Sequence, residues 1–219
     1  VVFGRSHGSI TLSEGGAVAT RSGQSAYTCA ASKAVMRAGH HYAQFTAMSG
    51  TIMFFGVIRP GWNVEAGTGA HVKDGHGHCF YFTYDGHRMP SDTDWEGMQP
   101  ARAQGDRIGM LLDLDQGSMT VWKNDIKLGV TLAEGLTGPL CWAVSLLNSS
   151  ARIESTPAPA SPTEEELAAA KDAAETAQET ARRQRREDLE VPLTATDAEC
   201  DAAEEAEEAA AAEAAQQDD

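Results

Sequence analysis

Hydrophobic and polar side chains alternate most regularly along residues 106–130. A period of two is typical of a half-buried β-strand, because successive side chains point to opposite faces of a sheet. The apolar positions of the first run are Ile108, Met110, Leu112 and Leu114. Residues 115–118 and 123–125 then have the composition of tight turns, with Gly117 free to adopt a positive φ. The stretch therefore predicts a meander of three antiparallel strands.

Short runs of the same kind occur on both sides of this meander. Each run shows either alternation or residue types that favour strands. The runs are residues 10–12, 17–19, 27–30, 41–48, 52–59, 79–84, 140–147 and 151–153. Glycine and proline separate most of these runs, and no helical pattern occurs before Thr156. The pattern predicts an all-β fold, a two-sheet antiparallel β-sandwich.

Two connections between the predicted strands are long. Residues 63–76 are glycine-rich and lack periodicity, which predicts an exposed loop. Residues 85–104 contain two glycines and two prolines. A connection of this length in a compact domain is often an Ω-loop or a binding loop.

The regular stretch also carries a family resemblance in its glycine, aspartate and tryptophan positions. The motif residues are Gly105, Asp106, Ile108, Gly109, Leu112, Asp113, Leu114, Asp115, Gly117, Trp122, Lys123, Asn124, Leu128, Gly129 and Val130. Further matches are Gly39 to Phe45, Phe55-Gly56-Val57, Tyr84-Asp85-Gly86 and Trp142 to Ser145. Together they resemble the SPRY domain family over about Ile10 to Ile153. Asp125 stands where that family often has glycine, and Ala43 where an aromatic residue is common.

The resemblance implies a concanavalin-like jelly roll that recognises peptides through loops gathered at one end of the sandwich. It indicates Arg59, Pro60 and Trp62 after one strand, and Asn148 and Ser149 before the last, as partner-binding residues.

Residue type adds one further candidate for partner binding. Trp95 lies in a loop, and Trp and Arg are the residues that most often anchor interfaces. Trp62 and Trp95 have an equally plausible alternative, which is packing over the end of the core. Trp122 and Trp142 lie within strands and are predicted to be core residues.

Charge divides the chain into two parts. The net charge is -15, and the residues from Thr156 onward include 19 acidic and five basic side chains. We therefore predict a domain over 1–155, a Pro/Ala linker over 156–163 and an Ala/Glu-rich helical or disordered tail over 164–219. Ser161, Pro162 and Glu164 have the pattern of a helix start, and the helix is expected to continue to about Glu190. Alanine spacing in the tail offers only a weak coiled-coil seam.

Composition also bears on partners and location. The basic cluster Arg182 to Arg186 is flanked by acidic residues, and no basic stripe offsets the acidic balance of the chain, which argues against nucleic acid. The longest apolar run is far shorter than the roughly 20 residues of a membrane-spanning helix. The irregular spacing of Cys29, Cys79, Cys141 and Cys200 is typical of a reducing compartment, so we expect an intracellular location, in the cytoplasm or nucleus. We also expect the domain to be monomeric.

Metal and enzyme chemistry find weak support in the motifs. Residues 76–79 read His-Gly-His-Cys, but a structural zinc site needs four ligands and no second paired motif occurs. The phosphate-loop and zinc-protease motifs are absent from the sequence. We therefore expect no catalytic residues, no metal and no cofactor.

Three functional hypotheses follow from these observations. The first is a non-catalytic protein-interaction module that binds a peptide segment of a protein partner, as a substrate-recognition or adaptor unit. The second is a structural or tethering protein that acts through its acidic helical tail. The third, least supported, is a metal-dependent enzyme.

Overall fold

A computed structural model describes residues 1–72, 75–90 and 93–190, with side chains up to residue 184. The strands are β1 (Phe3–Ser6), β2 (Ile10–Ser13), β3 (Val18–Arg21), β4 (Thr28–Ser32), β5 (His40–Ser49), β6 (Met53–Ile58), β7 (Cys79–Phe82), β8 (Arg88–Met89), β9 (Arg107–Asp113), β10 (Ser118–Lys123), β11 (Ile126–Leu132), β12 (Cys141–Leu146) and β13 (Ser149–Glu154). A helix, α1 (Glu164–Glu190), follows them.

These strands form two antiparallel sheets, which confirms the predicted β-sandwich. The first sheet has the order β1-β4-β12-β6-β7-β8, and the second has the order β11-β10-β9-β5-β13-β3-β2. The sandwich belongs to a compact unit, Val1–Ala174, that also includes the linker and the first turns of α1. A second unit begins at Glu175, and its described part is the remainder of α1.

The predicted meander is formed by β9, β10 and β11. The register between β9 and β10 is uninterrupted, from Asp113 opposite Ser118 to Ile108 opposite Lys123. In the second turn, Asn124 and Asp125 both have positive φ, at 50° and 69°. These are the conformations of a type I′ turn, which suits the twist of a hairpin. Asparagine and aspartate tolerate a positive φ better than most residues, so the turn is preserved although Asp125 replaces the glycine that is frequent in the SPRY family.

Alternation along the first sheet supplies two apolar layers. In β6, for example, Phe55 and Val57 face the second sheet and join the central core, whereas Phe54 and Ile58 face outward. Phe45 of the second sheet stacks on Phe55 in the central core, with ring centroids 5.1 Å apart. The outward-facing apolar residues therefore need a covering of their own.

That covering is formed by residues 59–72 and 75–78 of the connection between β6 and β7, which we call the covering segment. Val64, Ala70 and His71 within it are buried, with exposed fractions of 6%, 0% and 3%. The His71 ring stacks on Phe54 at 3.7 Å between centroids. The prediction of an exposed loop over residues 63–76 was therefore wrong for these positions. The prediction rested on the glycine content and the lack of periodicity, and neither reveals that these three side chains point toward the sheet.

The predicted tail helix is present and continues to Glu190, but it starts differently from the sequence pattern. Thr163 and Glu166 form the capping box: the Thr163 amide donates to Glu166 Oε2 at 2.7 Å, and the Glu166 amide donates to Thr163 Oγ1 at 3.2 Å. Ser161 is thus not the cap, and the helix begins at Glu164. The predictions for residues 191–219 lie outside the described residues.

Candidate functional site

Five of the six predicted partner-binding residues lie near two opposite ends of the first sheet, and the sixth, Trp95, lies in the loop after β8. Cys141 pairs with Ile58, and Leu146 pairs with Met53. Arg59, which follows Ile58, is therefore separated by about the length of a six-residue strand, roughly 20 Å, from the turn after Leu146. The structure brings Arg59, Pro60 and Trp62 together and separates them from Asn148 and Ser149.

Arg59 fixes the covering segment to the loop before β12. Its Nε donates to the His76 carbonyl at 3.0 Å, and its Nη1 donates to the carbonyls of Thr137 and Pro139. Its Nη2 donates to Thr137 Oγ1 at 3.2 Å. A guanidinium that bridges two loops in this way has its donors directed at the protein, so Arg59 is placed to position the segment.

Trp62 lies half-buried on the outer face of the first sheet. Its ring meets His76 and His78 edge-on, with centroids 5.3 and 4.9 Å away. A cavity of about 450 Å³ opens beside it, lined by Gly4, Arg5, Ser6, Trp62, Asn63, Val64 and Glu65. The Arg5 guanidinium crosses to this segment and donates to the Pro60 carbonyl at 2.6 Å. We call this concave area the Trp62 surface.

Two buried histidines organise the covering segment: His71 ties it to β12 of the first sheet, and His78 ties two parts of the segment together. His71 Nδ1 lies 3.0 Å from Ser145 Oγ, and burial lowers the pKa of His71 to about 4. His78 Nδ1 lies 3.1 Å from the Ala70 carbonyl, and burial is also the main cause that lowers the pKa of His78. Both imidazoles are therefore neutral near pH 7, where they serve as hydrogen-bonding parts of a packed layer.

Trp95 packs over the edge of the central core. Its Nε1 donates to the Gly86 carbonyl at 2.7 Å, and its ring lies beside Gly129 of β11. It contacts the core as a partly buried residue. This placement corresponds to the packing alternative that the sequence left open for Trp95.

The turn at Asn148 and Ser149 offers one exposed side chain. Asn148 has a φ of 46° and its amide donates to the Gly23 carbonyl at 3.0 Å. Ser149 is only 2% exposed. A partner at this turn would thus meet Asn148 before Ser149.

The His-Gly-His-Cys motif does not converge on one point. Cys79 belongs to the central core between the sheets, whereas His78 contacts Trp62 on the outer side. Among the described residues, the one group with metal-ligand spacing is instead His40, Asp113 and Asp115. Its carboxylates already accept backbone amides, from Asp115 and Gln116 at Asp113 and from Gly39 at Asp115. These bonds explain the group as turn structure.

Sequence reasoning missed Arg5 in the candidate site. It lies in β1, and its contact with Pro60 spans 55 residues. An isolated arginine in a short strand gives no local signal of such a contact. Nor does the sequence show that Arg59 would be held by the loop before β12.

The sandwich, its strand orders and its outer layer define a SPRY-like fold, as comparison with solved structures shows. The SPRY domain of human HERC1 is 15% identical, with a TM-score of 0.55 over 68% of this chain and 94% of that one. The TRIM65 PSpry domain is 16% identical, with a TM-score of 0.54 over 71% and 90%. Stonustoxin is 13% identical, with a TM-score of 0.50 over 70% of this chain and 26% of that one.

Sequence comparisons add no closer relative. No protein-family model matches the chain, and no curated protein matches it. Within the part of the chain that the structure describes, no helix is long and apolar enough to cross a membrane.

Proposed function

We propose that the protein is a non-catalytic interaction module that binds a peptide segment of a protein partner at the Trp62 surface. The observation that carries the proposal is the cavity beside Trp62, whose walls come from β1 and from the covering segment. A half-buried tryptophan next to a concave polar wall is typical of an interface anchor. The SPRY-like fold supports the same class of function.

The residues of this site have different roles in the proposal. Trp62 contacts the peptide, and Pro60 and Asn63 shape the surface around it. Arg59 acts as a positioning residue, because its hydrogen bonds fix the chain immediately before Pro60. Arg5 brings a positive charge to the cavity and Glu65 a negative one, so hydrogen-bond pattern contributes more to selection than net charge.

The wider biological setting is part of the proposal. We place the domain in the cytoplasm or nucleus, as the recognition unit of a larger adaptor assembly, with the domain, linker and tail divided at residues 155 and 163. Asn148, at the other end of the first sheet, is a second contact position for a partner long enough to span it.

The Trp62→Ala variant tests this function. Peptides are selected from a random display library on the full chain, and their affinities are then measured by calorimetry. We expect Trp62→Ala to weaken the selected peptides by about 2 kcal/mol, roughly 30-fold, because truncation removes a central anchor. Trp62→Phe retains the ring area and is expected to lose less.

Asn148→Ala provides the matched control at the opposite end of the sheet. For selected peptides that are too short to reach from Trp62 to the opposite end of the sheet, its effect is expected to remain below twofold. If Asn148→Ala abolished binding while Trp62→Ala left it intact, the peptide site would belong to the other end. If deletion of residues 156–219 alone abolished capture of a partner, the tethering hypothesis would replace the proposal.

A further inference from the structure

The outer face of the second sheet carries an aromatic pair that the proposed function does not use. On β5, Ala43 and Phe45 join the central core, so Tyr42 and Gln44 point away from it. On β10, Val121 faces the core and Trp122 points outward. Trp122 is nevertheless only 5% exposed. The sequence predicted burial of Trp122, but its position outside the core means that something else shields it.

Tyr42 is the first part of that shield. Its ring stands perpendicular to that of Trp122, with centroids 6.0 Å apart and an interplanar angle of 86°. Gly109, on the strand between them, pairs with both Gln44 and Trp122. A Cβ atom at Gly109 would collide with the Tyr42 hydroxyl, so glycine leaves room for the phenol to lie across β9.

The linker after β13 is the second part. Thr156, Pro157 and Pro159 line a cavity of about 370 Å³ together with Tyr42, Gln44, Arg107, Trp122 and Asp125. The phenol of Tyr42 interacts with the side chains of Thr156 and Gln44. The Arg107 guanidinium pairs with Asp125 at the edge of the same cavity. We call the wall formed by the five sheet residues the aromatic groove.

Two surface ion pairs hold the first turns of α1 to the second sheet. Lys127 of β11 lies 2.6 Å from Glu166, and Lys171 lies 2.5 Å from Glu134. All four side chains are between 30% and 67% exposed. Exposed pairs of this kind contribute little and are screened by salt, so they guide the linker without locking it.

We propose that the aromatic groove is a binding site for extended proline-rich peptides, which the chain's own residues 156–159 occupy. A Pro-x-Pro segment suits such a groove because proline fixes φ and presents its ring without a large loss of conformational entropy. Tyrosine and tryptophan provide flat surfaces for these rings and polar atoms for the exposed backbone. The site lies on the second sheet and is independent of the Trp62 surface on the first.

Occupancy by the chain's own linker makes the groove selective. A tethered segment competes at an effective concentration in the millimolar range for a short flexible connection. A proline-rich segment of another protein therefore has to displace the linker. Its apparent affinity rises when the linker's prolines are removed.

A labelled heptapeptide with the sequence of residues 156–162 tests the proposal. Its binding is measured by fluorescence anisotropy on the full chain and on the double variant Pro157→Gly, Pro159→Gly, which removes the two linker prolines that line the groove. We expect at least tenfold tighter binding to the double variant. Adding Tyr42→Ala to that variant is expected to weaken binding at least tenfold, whereas Thr11→Ala, on the far edge of the same sheet, leaves it unchanged.

Three results would each overturn the proposal. Equal binding to the wild-type chain and the double variant would show that the linker does not occupy the groove. No binding to the double variant at millimolar peptide would remove the groove as a proline site. Equal binding of a peptide in which all three prolines are alanine would remove the proline requirement. Thermal melts of each variant verify that the sandwich is folded, and Tyr42→Leu, which removes the ring but keeps an apolar side chain, substitutes if Tyr42→Ala does not fold.

Discussion

The free energy of unfolding is expected to fall by about 3 kcal/mol between pH 7 and pH 4 because of His71 alone. Burial lowers the pKa of His71 to about 4 in the folded protein, compared with 6.5 for a free imidazole. Its contribution to stability is therefore complete above pH 6.5 and is lost as the pH falls through that interval, since the unfolded chain binds the proton first. Urea denaturation at half-unit pH steps measures the loss.

The variant His71→Gln isolates this contribution from that of the carboxylates, which titrate in the same range. We expect the variant to be less stable at pH 7, where it loses the stacking on Phe54, but to show a smaller decline toward pH 4. His41→Gln is the matched control, because that ring lies at the surface. A decline in His71→Gln equal to that of the wild type would contradict the assignment.

Replacing Phe45 by alanine is expected to lower the free energy of unfolding by about 3–5 kcal/mol. Phe45 is fully buried, stacks on Phe55 and meets Trp142 edge-on at 5.9 Å. The truncation therefore removes apolar contacts from both sheets and leaves a cavity between them. Since natural domains are stable by only about 5–15 kcal/mol, this loss is a large share of the total.

Two further variants serve as comparisons for the loss of stability in Phe45→Ala. Phe45→Leu retains most of the volume and is expected to cost less than the alanine variant. Ile126→Ala, at a side chain that is 70% exposed, is expected to change stability by no more than about 0.5 kcal/mol. Comparable losses in Phe45→Ala and Ile126→Ala would show that the ring is not part of the core. Equilibrium urea curves measure all three.

Local pattern was sufficient to predict the sandwich and eleven of its thirteen described strands, but not the short strands β1 and β8. The alternation from Ile108 to Leu114 depends only on neighbours in sequence, and the structure confirms both the strand and its turn to β10. Trp142, predicted as core, lies between the sheets. Such features follow from the two-residue period of a strand, which sequence displays directly.

Contacts between distant segments could not be predicted in the same way. Nothing near Arg59 in sequence indicates Thr137 as its partner, and nothing near Tyr42 indicates Thr156. The segments that cover the outer faces of the two sheets have no hydrophobic periodicity. In sequence they therefore cannot be distinguished from exposed loops, although some of their side chains are buried. The family resemblance implied that the candidate residues at 59–62 and 148–149 share one end of the sandwich. Strand register decides at which end of the sheet each loop lies, and the sequence does not display that register.

The covering segment also bears on how this sandwich tolerates changes in length. Surface connections usually accept insertions, deletions and exchange between related proteins. Here Ala70 and His71 complete an apolar layer, so a chimera that replaced residues 59–78 would exchange part of the hydrophobic interior as well as a surface loop. Grafted recognition sequences are better placed in the turn at Asn148, whose own side chain is exposed and covers no second apolar layer.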